Sequence, residues 1–180
     1  MKTQAHLSLS AILVFPLFIY TLSFEILLFC AFAIGTTQLI NLDAIMPFCR
    51  HRRTFHNIPG IVFWAIIVAV ITYLTAVALT APIQSTTEID IGLINVWTVT
   101  FIAFIATLLG NTSHLIGDLI TQPLDKRPLT PLNPLRNTVY TPYLFDRSSI
   151  SPDDSLPFAA WFIWICGTLA RYAVYPLWIA

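Results

Sequence analysis

The feature that most constrains this chain is a stretch of nineteen residues, 61–79, without a single charge: IVFWAIIVAVITYLTAVAL. As a helix rising about 1.5 Å per residue, it is long enough to cross a hydrocarbon core of about 30 Å. Four further apolar stretches accompany it. They cover residues 6–22, which contain Pro16, residues 24–40, which open near Glu25, and residues 91–119 and 157–179. The stretches at 61–79, 91–119 and 157–179 have bilayer-spanning length. The first two are shorter and tightly connected, so they read as two thin spans or as a hairpin that enters and returns. Two spans is the preferred reading, because each reaches the lower length limit. Lys2 before the first run resembles a signal-peptide start, but no small-residue cleavage pattern follows, so the segment reads as a retained helix.

Composition agrees with this pattern. Hydrophobic residues make up 57% of the 180 and charged residues only 10%, against about 25% charged in soluble domains. Nine basic and nine acidic residues cancel, so no global field recruits nucleic acid. The three cysteines stand singly and form no CxxC pair, which argues against a zinc ribbon or a redox motif. Cys30 and Cys166 read as small buried hydrophobes. Cys49, two residues before His51, reads as a loop thiol or a weak ligand candidate.

The connectors carry the charge. Arg50, Arg52 and Arg53 lie in 41–57, and Glu88 and Asp90 in 80–90. Lys126, Arg127, Arg136 and Arg147 lie in 120–156, and seven of the twelve prolines fall between Pro123 and Pro157. That density of proline is incompatible with regular helix. With five spans, Lys2 and both basic loops share one side, which the positive-inside rule makes cytoplasmic. The sequence therefore predicts an all-α integral membrane protein, one transmembrane helical domain over 1–180. It has about five transmembrane helices and an irregular, Pro-rich loop on the cytoplasmic side of the cell membrane. Arg171, inside the fifth run, reads as snorkelling past Tyr172, Tyr175 and Trp178, with a functional role as the alternative. Asn111 and Thr112 read as groups for interhelical hydrogen bonding.

Only four histidines occur: His6, His51, His56 and His114. A topology built from Lys and Arg alone puts all four, with Asp43 and Asp118, at the cytoplasmic face. Asp118 follows His114 by four residues, so both face one side of a continuing helix. Imidazole and carboxylate together suit a divalent ion, Zn²⁺ first and Mn²⁺ second. Each residue also has a plain structural reading: His6 as an interfacial residue, His51 as part of a basic patch, His56 as a helix flank and Asp43 as a turn residue. His114 and Asp118 resist that reading best, because ionisable groups in an apolar run are costly and have a partner or a cavity.

The order AHLSLSA, LINLDAI, HRRTFHN and HLIGDLITQPLDKRPLTPL resembles the YdjM-like, LexA-regulated family of inner-membrane proteins described as membrane-bound metal-dependent hydrolases. The resemblance covers roughly residues 6–134. In that family the acidic motif is Pro-Asp-x-Asp, and Asp43 matches its second Asp while Asn41 replaces the first. His51, Arg52 and His56 match the middle motif, with His56 one position late, and His114, Asp118 and Thr121 match the later one. The glycine usual after that Thr is absent. The resemblance implies a metal held by His6, His56, His114 and Asp118, with Asp43, His51 and Arg52 as catalytic candidates. Arg53 and Thr121 are then candidates for substrate contact. An ion there supplies Lewis acidity and an activated water, Asp43 or a non-ligand histidine serves as base, and the arginines grip a phosphate. The expected substrate is a phosphoester or a lipid-linked molecule, an expectation the His-x-x-x-Asp element shares with zinc-dependent phospholipases C. The alternative is a non-enzymatic membrane protein whose basic loop binds anionic lipid or a partner.

Overall fold

The computed structural model describes residues 3–20, 23–49, 54–86, 95–120, 131 and 152–179. These form α1 (Thr3–Tyr20), α2 (Phe24–Thr36), a short 3-10 turn (Leu39–Ala44), α3 (Ile58–Thr86), α4 (Val96–Ile120) and α5 (Pro152–Ile179), with no strand among the described residues. Three apolar stretches are long enough to cross a membrane: Phe24–Leu42, Ile58–Leu79 and Val96–Leu119. The five expected spans are matched in these three. In α1 and α5 the apolar stretches Gln4–Ile19 and Leu156–Leu169 are shorter. The Pro-rich loop expected over 120–156 is shorter than that, because α4 continues to Ile120 and α5 begins at Pro152, and between these helices only Pro131 is described. Its carbonyl accepts the Ile58 N–H at 2.9 Å, at the start of α3.

Local sequence sets the helix boundaries. Ser23 caps α2 by accepting the Ile26 N–H, with Glu25 in the positive first turn. Asn57 does the same for α3: its Oδ1 accepts the Gly60 N–H at 2.7 Å, and its Nδ2 donates to the Thr54 carbonyl at 3.1 Å. Pro59 fits the first turn, where no intrahelical donor is needed. A Cβ on Gly60 would collide with the Phe55 backbone. The turn 54–57 can therefore fold tightly onto α3 only because residue 60 is glycine.

Contacts between helices alternate in direction. His6 at the start of α1 meets Asp118 at the end of α4, so these helices are antiparallel. Ala33 and Thr37 of α2 meet Gly110 and His114 of α4 in one constant, parallel register. His56, just before α3, meets Asp118 near the end of α4, so α3 is antiparallel to α4, with Ile61 and Trp64 packed with Leu115. α4 touches α1, α2 and α3 and is the centre of the bundle. α5 lies along α1 in parallel register: Trp164 Nε1 donates to the Ala11 carbonyl at 3.2 Å, and Gly167 passes against Phe15.

The bundle buries a polar centre beside its apolar core and leaves large apolar side chains exposed. Of its ten largest fully buried side chains, eight are polar: His6, His56, His114, Asn111, Thr37, Thr107, Asp118 and Ser10. Meanwhile Trp97, Phe101, Phe158, Trp161 and Leu79 are more than half exposed. Water-soluble domains bury such residues and expose polar ones. Cys30 is buried as expected, whereas Cys166 is exposed, because its position on α5 faces away from α1.

Arg171 is not simply directed outward. Its guanidinium donates to the carbonyls of Phe18 and Ile19 at 2.7 and 2.6 Å. The last carbonyls of a helix lack intrahelical acceptor partners, and a cation there also meets the negative end of the helix dipole. We expect Arg171→Leu to destabilise the detergent-solubilised protein by about 2 kcal/mol. Arg171→Lys should retain part of that. Thermal unfolding of the two variants beside wild type measures the difference.

Candidate metal centre

Asp118 is the focus of the polar interior. His6 Nε2 lies 3.3 Å from its Oδ1, and His56 Nε2 and His114 Nε2 lie 3.4 and 3.7 Å from its Oδ2. All four side chains are at most 2% exposed. Ligand atoms of His6, His114 and Asp118 lie within 4.8 Å of one another, and this group is able to bind a metal ion. In a tetrahedral zinc site with bonds of about 2.0 Å, ligand atoms sit about 3.3 Å apart. Within this group the His6–Asp118 separation, 3.3 Å, matches that value, and the His114–Asp118 separation is 3.7 Å.

Each ligand is delivered by a distinct local feature. His114 and Asp118 lie one turn apart on α4. His6 lies in the second turn of α1, with its ring stacked on that of His114 at a centroid distance of 3.6 Å and an interplanar angle of 3°. His56 immediately precedes the Asn57 cap, so the α3 boundary fixes its place.

Hydrogen bonds define what each nitrogen can do. His114 Nδ1 lies 2.8 Å from the Thr37 carbonyl, which can only accept. The proton is therefore on Nδ1, and in the neutral ring Nε2 presents a lone pair towards Asp118. Such a bond from the far nitrogen to a carbonyl is the usual orienting contact of a metal-ligating histidine. The Thr37 carbonyl is available because it ends α2, while the Thr37 hydroxyl folds back to the Ala33 carbonyl at 2.7 Å. Ser10 Oγ of α1 donates to that same Ala33 carbonyl at 3.1 Å. His6 Nδ1 is buried and has no hydrogen-bond partner among the described residues, so there His6 lacks the orienting contact His114 has.

His56 has a different role from His114. Its Nε2 lies 3.1 Å from Asn41 Oδ1 as well as near Asp118. Asn41 Nδ2 donates to Gln38 Oε1 at 2.6 Å, which leaves Asn41 Oδ1 as acceptor. With two oxygens in front of it, His56 Nε2 acts as donor and holds Asp118 in place.

The structure thus brings together His6, His56, His114 and Asp118 of the residues singled out in the sequence. Asp43 lies in the 3-10 turn Leu39–Ala44, beside the site in sequence, and its side chain is outside the described residues. His51, Arg52, Arg53 and Thr121 also lie outside the described residues. Two participants were not singled out as partners from sequence: Asn41, seen there only as a departure from a motif, and the Thr37 carbonyl, which no side-chain pattern announces. Asn111 differs from its expected interhelical role, since neither amide atom has a hydrogen-bond partner among the described residues.

Fold and site together define an all-helical bundle with a buried histidine–aspartate group suited to a cation. No protein-family model, curated protein or solved structure matches the chain.

Gly110 controls the approach of α2 to α4, because a Cβ there would strike the Ala33 carbonyl. Gly110→Ala should push Thr37 away from His114 and weaken metal binding by about 10- to 100-fold, the range for loss of an orienting partner. Gly35→Ala, with nothing within 4 Å of the added carbon, should leave binding unchanged. Titration of both purified variants with Zn²⁺ checks the contrast.

Proposed function

We propose that the chain is a multi-pass integral membrane protein of the cell membrane, with its N-terminus and basic loops cytoplasmic. We further propose that it is a metal-dependent hydrolase of the YdjM-like kind, acting on a phosphoester or lipid-linked substrate. The membrane part is supported by the three long apolar helices, the alternating helix directions and the exposed large apolar side chains. The observation that carries the metal part is the meeting of two acceptors. The His114 Nε2 lone pair faces Asp118 Oδ2 at 3.7 Å, with His6 closing the third side. Two buried acceptors that face each other are stabilised by a cation or a proton between them.

Zinc fits this donor set first and manganese second, since imidazole and carboxylate serve both and the group is small. A divalent ion supplies Lewis acidity and activates water. The chain's own residues do the rest. His6, His114 and Asp118 bind. His56 orients Asp118 and holds a proton on Nε2, placed to be given to a leaving group. Asn41 in turn fixes the His56 ring. The bundle excludes bulk water from the carboxylate. Arg52 and Arg53, in the basic loop, supply cations for a phosphate, and Asp43 and His51 remain candidates for the base.

Elemental analysis of detergent-purified protein tests this. Wild type should carry near-stoichiometric zinc or manganese, and the His114→Ala/Asp118→Ala pair should carry none. An intact, metal-free wild type after loading at neutral pH would sink the hydrolase reading and favour a lipid- or partner-binding protein. Protons compete for the same donor atoms, so affinity should fall as the pH is lowered. Asn41→Asp would set a second carboxylate beside His56, and should raise zinc affinity by about tenfold in the same titration.

A further inference from the structure

α4 carries a second polar pair that the metal group does not use. Asn111 and Thr107 are both fully buried, and among the described residues neither the Asn111 Oδ1 and Nδ2 atoms nor Thr107 Oγ1 has a hydrogen-bond partner. Buried amides and hydroxyls without partners are rare and costly. Thr107 also departs from its neighbours. Thr36, Thr37 and Thr100 each return the hydroxyl to the carbonyl four residues earlier, at 2.6 to 2.8 Å.

Asn111 and Thr107 share a helix face with His114 and Asp118, at spacings of three and four residues. They lie about 5 and 10 Å along the axis from His114, on the side away from Asp118. Side chains on a helix lean towards its N-terminus, so the Asn111 amide leans towards Thr107. Among the described residues, α1, α3 and the first half of α4 carry no Asp, Glu, Lys or Arg, and Glu25 of α2 is exposed. No charged side chain of these helices stands ready to pair with Asn111 or Thr107, which favours an uncharged partner.

We propose that Asn111 and Thr107 form a subsite for a neutral donor–acceptor group of the ligand, a hydroxyl or a carboxamide, whose reacting end lies at the histidine–aspartate group. This rests on the metal reading above and narrows it. The substrate is a molecule with an anionic or carbonyl head at the metal and an uncharged hydrogen-bonding group about 5–10 Å further in. Asn111 offers two N–H donors and one acceptor oxygen, and Thr107 one of each. Such a pair rejects a purely apolar tail, because its polar atoms would stay unpaired.

Two hydroxamates test the assignment. Hexanohydroxamate and 6-hydroxyhexanohydroxamate grip a metal identically and differ only in the terminal group. Full-length protein in detergent is loaded with Co²⁺, whose visible spectrum reports both occupancy of the site and displacement by hydroxamate. Wild type should bind the hydroxyl-terminated probe about tenfold more tightly. Asn111→Leu and Thr107→Val should each keep the cobalt spectrum, which shows an intact site, and should lose that preference. Equal affinities in wild type, or a preference that survives both substitutions, would overturn the subsite. Absence of any cobalt spectrum in wild type would instead overturn the metal reading, and the subsite would fall with it.

Discussion

Everything near the centre of this bundle is arranged around one buried carboxylate. Asp118 is 2% exposed, and an isolated ionised carboxylate in a low-dielectric interior costs several kcal/mol or more. The fold answers by collecting three imidazoles from three different helices or their edges. α1 must begin where α4 ends, and α3 must begin beside both. α2 must end there too, so that its last free carbonyl reaches His114. The alternating directions of the helices follow from that convergence as much as from the connectors.

The second tier of contacts explains why small residues sit where they do. Gly110 brings α4 against the Ala33 carbonyl, and that one oxygen also receives the hydroxyls of Ser10 and Thr37. Three helices are thereby tied at a single main-chain atom one turn from the imidazoles. On the membrane reading proposed above, hydrophobic burial does little to hold the helices together. Close packing at small residues and hydrogen bonds take its place.

Much of this was legible in the sequence, for different reasons at different places. The apolar runs announced all five helices, because a long, nearly uncharged apolar stretch has few alternatives to helix. His114 and Asp118 stood out because an ionisable pair in such a run requires a partner. His6 and His56 were joined to them only through a topology read from Lys and Arg. The sequence pattern did not reveal that His56 faces Asn41 as a donor. A hydrogen-bond direction depends on which oxygen lies opposite, and spacing carries no such information. Arg171 was read as snorkelling because its neighbours are aromatic. Its two acceptor carbonyls belong to the end of α1, far away in the chain. Asn111 was read as an ordinary interhelical group, and only the positions of all the surrounding atoms leave its amide unpaired.

The parallel seating of α5 along α1 has a consequence for biogenesis. His6 is synthesised well before its partners, which arrive only when α4 is complete. Until then, α1 has neither its stacking partner His114 nor the Arg171 guanidinium that closes its far end. The first helix is thus the last to be secured at both ends, and it waits, polar side chain included, through the synthesis of most of the chain. An insertion machinery that sheltered α1 until α4 and α5 arrived would protect the step at which this chain is most exposed to misassembly and degradation.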